Sequence, residues 1–135
     1  MTTINTFQQY TSEPYALSFE QMQELHNELI SEIATDSDAL ELYDELIEVC
    51  NQYAMIRASW VLLSREDKIE KDSSRTSYHN SVFIHFNMLS RYLRMQGKAA
   101  SWRDKLGYEE DTKYCRKTIG DFCCYLVFIN SLCAR

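Results

Sequence analysis

Two charged residues stand where the apolar pattern calls for none, and they are the first candidates for chemistry. Arg57 interrupts the run Tyr53-Ala54-Met55-Ile56-Arg57-Ala58-Ser59-Trp60-Val61, and Asp121 interrupts Ile119-Gly120-Asp121-Phe122-Cys123. A carboxylate inside such a belt is either a catalytic group or half of a buried ion pair, because an uncompensated buried charge is costly. Arg57, Arg75 and Arg91 are the available partners. Arg57 is the first choice, since the helix carrying it turns most apolar at that level. On this reading Arg57 and Asp121 fix helix register and do no catalysis.

The second candidate is a surface. Residues 1–50 hold eleven acidic side chains and no lysine or arginine, whereas residues 51–135 hold nine acidic against fourteen basic ones. Glu20, Glu24, Glu28 and Glu32 recur every four residues, so on a helix they stack about 6 Å apart along the axis. Like charges at that interval destabilise a helix by about 0.2–0.5 kcal/mol per pair. Helical stability therefore does not explain the ridge. Glu41, Asp44, Glu45 and Glu48 extend the acidity onto the next helix. Such a ridge is either a solvated face, partly neutralised by the basic remainder of the chain, or a surface for a protein partner with a basic groove. Direct binding of nucleic acid by this face is not expected, because it would repel phosphates.

The third candidate lies in Asp72-Ser73-Ser74-Arg75-Thr76-Ser77-Tyr78-His79-Asn80. Arg75 and His79 are four apart and face one way on a helix. The pair resembles the Arg and His of HEPN-class ribonucleases, which sit on a helix of a bundle. That resemblance implies proton transfer by His79 and stabilisation of phosphate charge by Arg75. Three residues intervene here, fewer than in the family's pattern. Asn80, Asn87 and Arg91, with Thr76 and Arg94, continue a polar stripe along the same helix. It reads as the exposed side, or as a surface for a partner or an RNA backbone. His26, His79 and His85 each lie on or beside an apolar face, where a satisfied core histidine is the simpler reading.

The chain offers little else for catalysis. It has no glycine-rich phosphate loop, no G-x-S-x-G elbow, no H-E-x-x-H and no calcium loop. Cys50, Cys115, Cys123, Cys124 and Cys133 form no C-x-x-C pair and read as reduced thiols serving as small core residues. No metal or cofactor is expected. The longest apolar run near the end, Phe122 to Ile129, is too short to span a bilayer, and the polar N-terminus is unlike a secretory signal. A cytoplasmic location follows as the expectation.

These residues must be positioned by helices. With 3 Gly, 1 Pro and 45% apolar residues in 135, the composition favours one all-α domain. The expected fold is a bundle of four main helices plus a short one, with the C-terminal helix central and residues 1–17 an irregular arm. Ser18 and Gln21 form a capping box that starts the first helix. The second should run from about 39 to 65, and the polar segment 66–74 should be a turn. The third should run from about 74 to 96, stopping at Gly97, and a short helix should cover 99–106. The last should run from Asp111 to about 132, apolar nearly all round from Ile119 to Ile129.

Arg75–Asn80, Ala100–Gly107 and Ile119–Phe122 together resemble small uncharacterised helical proteins of Gram-positive bacteria and their mobile elements. The resemblance implies a phage- or plasmid-borne regulator, including an anti-CRISPR-like inhibitor. The leading expectation is a non-enzymatic protein that binds a protein partner through the acidic first two helices. A helical-bundle ribonuclease using Arg75 and His79 is the alternative. A structural domain or homo-oligomer that hides the acidic ridge is the third.

Overall fold

The computed structural model describes residues 17–107 and 116–132. Five α-helices and one 3-10 turn make up the described chain, and it contains no strand. The all-α bundle is therefore as expected: four long helices and a short one. The arm (apart from Leu17), Asp111, Cys115 and Cys133 lie outside the described residues. No described helix is long and apolar enough to cross a membrane.

The first helix, α1 (Phe19–Ile33), starts where the capping box puts it. The Ser18 hydroxyl accepts from the Gln21 amide at 3.1 Å, and the Gln21 side chain accepts from the Ser18 amide at 2.8 Å. Met22, Leu25, Leu29 and Ile33 bury one stripe. The chain then turns at Asp36, the N-cap of α2 (Ser37–Ser59). Its carboxylate accepts from the amides of Asp38 and Ala39 and from the Tyr92 hydroxyl, 2.9 Å from both carboxylate oxygens. One side chain thus caps a helix and ties that corner to a residue 56 positions away.

The second chain reversal falls elsewhere than expected. A 3-10 turn covers Trp60–Leu62, and Ser64 caps α3 (Arg65–Met95), accepting from the Asp67 amide at 3.1 Å. The polar segment 66–74 is therefore the beginning of a 31-residue helix and not a turn. Polarity there marks solvent on most sides of the helix. The true turn carries the exposed apolar residues Val61 and Leu62, 80% and 83% exposed, which mimic helix interior in the sequence.

Gly97 ends α3 as expected, at φ +84°, a conformation that a side chain disfavours. The Lys98 amide bonds back to the Leu93 carbonyl at 2.9 Å and the Gly97 amide to Arg94 at 3.1 Å, a Schellman closure. The short α4 (Ser101–Lys105) follows a left-handed Ala100, φ +48°. In the last helix, α5 (Arg116–Leu132), every residue from Ile119 to Phe128 is buried. The largest helix–helix interface is nevertheless that of α2 with α3, and α2 also packs on α1 and α5.

Candidate interaction surface

The polar residues of the core decide which charges remain for a partner. Asp121 is fully buried, and the Arg57 guanidinium reaches it at 2.5 Å from α2, with its side chain 12% exposed. The same guanidinium lies 3.9 Å from the Cys124 thiol. The partner chosen from sequence is the one present, and the pair bridges α2 and α5 inside the bundle. Gly120 makes the approach possible: a Cβ there would lie 2.7 Å from Arg57 Nη1 and 3.0 Å from the Tyr53 hydroxyl. Gly-to-Ala inside a helix ordinarily stabilises by about 1 kcal/mol. Here the sign should reverse, with Gly120→Ala losing about 1–3 kcal/mol in urea denaturation as the guanidinium is pushed off its carboxylate.

Burial raises the thiols of Cys123 and Cys124 well above their usual range and lifts Tyr53 to about 12. These groups are neutral and enclosed, which makes them poor nucleophiles or bases. Cys123 donates to the Cys50 carbonyl at 3.6 Å, consistent with thiols used as core residues.

Arg75 and His79 have different surroundings. His79 is buried at 4% exposure, its ring edge-on to Tyr53 with centroids 5.3 Å apart. Arg75 instead lies over the Trp60 ring, 4.1 Å from its centroid, and pairs with Asp72 at 3.0 Å. A general base must reach the proton it takes, and this imidazole faces the α2–α3 packing. Asn80 and Arg91 are exposed, but Asn87 is not. It is buried and accepts from Arg103 Nε at 2.9 Å, so the supposed outer stripe is split between surface and core.

Arg103 was not legible in the sequence. It is fully buried, donating also to the Gly107 carbonyl at 2.8 Å and lying 5.3 Å from the Phe83 ring. It sits in Ser-Trp-Arg-Asp-Lys, a helix too short to show a period, where three charged residues in a row read as surface.

The acidic ridge of α1 is divided in the same way. Glu28 accepts from Lys105 at 2.5 Å and from the Ser101 hydroxyl at 3.4 Å. Glu32 accepts from the Ala100 amide at 3.0 Å and from the Trp102 indole at 2.8 Å. These two carboxylates hold α4 against α1, and binding to it explains their presence. Glu20 and Glu24 remain exposed on α1, and Glu41, Asp44, Glu45 and Glu48 are exposed on α2. The α2 residues lie on one face, at intervals of three and four. Glu41, Glu45 and Glu48 make no ion pair with another described residue.

His26 is half-buried beside Tyr125, ring centroids 6.0 Å apart, and burial lowers its pKa below the ordinary 6.5. Asp36 is held below the ordinary 3.8, chiefly by the Ala39 amide and also by Tyr92 and the Asp38 amide. In both cases the folded state binds fewer protons than the unfolded one. Stability is then fully present above the unfolded value and lost as pH falls through the folded one. The urea midpoint should fall as the solution is acidified below about pH 6.5, and His26→Gln should flatten the upper part of that slope. A midpoint constant down to the carboxylate range would contradict the assignment. His85, by contrast, has its Nδ1 2.8 Å from the Ser81 carbonyl of its own helix.

No known protein family, curated protein or solved structure matches this chain.

Proposed function

We propose that this protein is a non-enzymatic interaction module that engages a basic groove of a protein partner through the outer face of α2, supported by the start of α1. The observation that carries the reading is the exposed set Glu41, Asp44, Glu45 and Glu48, with Glu20 and Glu24 beside it in sequence on the preceding helix. No lysine or arginine precedes Arg57, and Arg57 is committed to Asp121. Internal contacts account for Glu28 and Glu32, whereas Glu41, Glu45 and Glu48 make no ion pair with another described residue. The like-charged interval 41–45 costs the helix about 0.2–0.5 kcal/mol, an expense with no ion pair to a described residue to offset it.

A row of carboxylates along a rigid helix presents charge to a protein much as a phosphate backbone does, and complementary potential supplies steering and orientation. Occupying the groove of a nucleic-acid-binding protein is the activity such a surface would carry. An inhibitor borne by a phage or plasmid, which the sequence resemblance implies, is one form of it. The burial of His79 argues against the ribonuclease alternative.

The test is an affinity capture run in parallel with the unmodified chain and with a variant carrying Glu41→Gln, Asp44→Asn, Glu45→Gln and Glu48→Gln. Glu28 and Glu32 are left intact so that α4 stays docked. Binding of the captured protein should weaken steeply with salt, as exposed charge pairs do, and should be lost in the variant while its melting temperature holds. Equal, salt-insensitive capture by both chains would end this reading.

A further inference from the structure

We infer that the outer face of α3 is the seam of a two-fold symmetric dimer, formed by antiparallel packing against α3 of a second copy of this chain. Ile84, Met88 and Met95 are 55%, 41% and 82% exposed. With the exposed Arg91 they follow one another at intervals of four, three and four, so they form a single line along the helix. This is an apolar face turned away from the chain's own core, and a helix of this kind ordinarily buries such a line against something.

Charge identifies the occupant. Between Arg75 and Arg91 α3 carries no Asp, Glu, Lys or Arg, in a chain whose net charge is −6. Two copies repel each other over their acidic helices, and repulsion is least where the approaching faces are uncharged. Between those two arginines the face offers no carboxylate, ammonium or guanidinium for an oppositely charged partner to recognise.

The line is also complementary to itself. Traced towards the start of α3, it passes over Ser77, Ser73 and Glu70, all exposed. Reversing the helix end for end about the midpoint between Asn80 and Ser81 sets Ser77 opposite Ile84 of the second copy, Ser73 opposite its Met88 and Glu70 opposite its Arg91. Ile84 and Met88 each meet a small side chain and Glu70 meets a base, while Met95 falls opposite Glu66 at the end of the seam. The two-fold axis repeats every pair, the condition for an isologous interface. Small residues let the two helix axes approach within the usual ~8–10 Å. The seam runs most of the length of α3, about 40 Å at the ordinary helical rise, and it uses none of the carboxylates assigned to the basic partner.

Sedimentation equilibrium across the micromolar range tests this directly. The unmodified chain should sediment as a dimer. Met88→Asp should leave monomer with the helical circular-dichroism signal unchanged. Glu70→Arg and Arg91→Glu should each raise the dissociation constant about tenfold, since each places like charges together twice per dimer. The double variant with both swaps should return to within about threefold of the original. A monomer for the unmodified chain at every concentration overturns the dimer. A dimer that survives Met88→Asp overturns the face, and single swaps without rescue in the double variant overturn the register.

Discussion

Asp121→Ala is expected to destabilise the fold by about 3–5 kcal/mol, a large share of the about 5–15 kcal/mol that holds a domain together. Asp121 is fully buried, and the Arg57 guanidinium that reaches it at 2.5 Å is itself largely enclosed. Removing the carboxylate leaves a cation between Tyr53, Gly120 and Cys124, where water can reach it only at one edge. The cost is thus mostly that of an uncompensated charge, and much less that of a lost contact. A double variant discriminates these. Arg57→Leu with Asp121→Leu removes both charges and should recover at least half of the loss, because replacing a buried pair by apolar groups is often neutral. Urea denaturation with an unchanged slope is the measurement. An unchanged midpoint for Asp121→Ala would show that the pair contributes nothing, and a double variant worse than either single one would show that the site cannot be repacked. The loss would not mark a catalytic role, since no substrate can reach a carboxylate enclosed on every side.

Trp102→Ala should cost a comparable about 3–5 kcal/mol. Trp102 is the largest fully buried side chain of the protein, in contact with Phe86, ring centroids 6.2 Å apart. It anchors α4, which at five residues is too short to be stable by itself. Two contributions are separable. Trp102→Phe keeps most of the apolar bulk but removes the indole donor 2.8 Å from Glu32, and a hydrogen bond to a charged group contributes about 1.5–3 kcal/mol. Trp102→Phe should therefore fall between the unmodified chain and Trp102→Ala. Glu32→Ala also abandons the Ala100 amide, in a segment already holding a left-handed Ala100. It should destabilise at least as much as Trp102→Phe. If Trp102→Phe leaves the midpoint where it was, Glu32 does not hold α4, and its carboxylate returns to the set available for a partner.

The two sites differ in the signal they leave in the sequence. The Arg57–Asp121 pair was legible because each charge broke a long apolar run, and a helix apolar all round leaves a charge no route to solvent. The Glu32–Trp102 contact was not. Glu20, Glu24, Glu28 and Glu32 are equivalent in spacing, and only the return of the chain through Ala100–Leu106 separates two docking carboxylates from two exposed ones. The same holds on α3, where Asn80 and Asn87 looked alike until Arg103 reached the second from a helix five residues long.

The sequence by itself determined the helical class, the number of long helices, the capping box at Ser18, the stop at Gly97 and the buried belt of α5. All of these follow from local chemistry: periodic apolar residues, a side chain that satisfies its neighbour's amide, and a residue free to take positive φ. Tertiary structure decided where α2 gives way to α3, that Asn87 meets Arg103 in the core, and which members of the acidic ridge are occupied. Each depends on residues far apart in the chain coming into contact. A polar side chain carries the same local signal whether it ends in water or against a buried donor, so its fate is settled only when the helices pack.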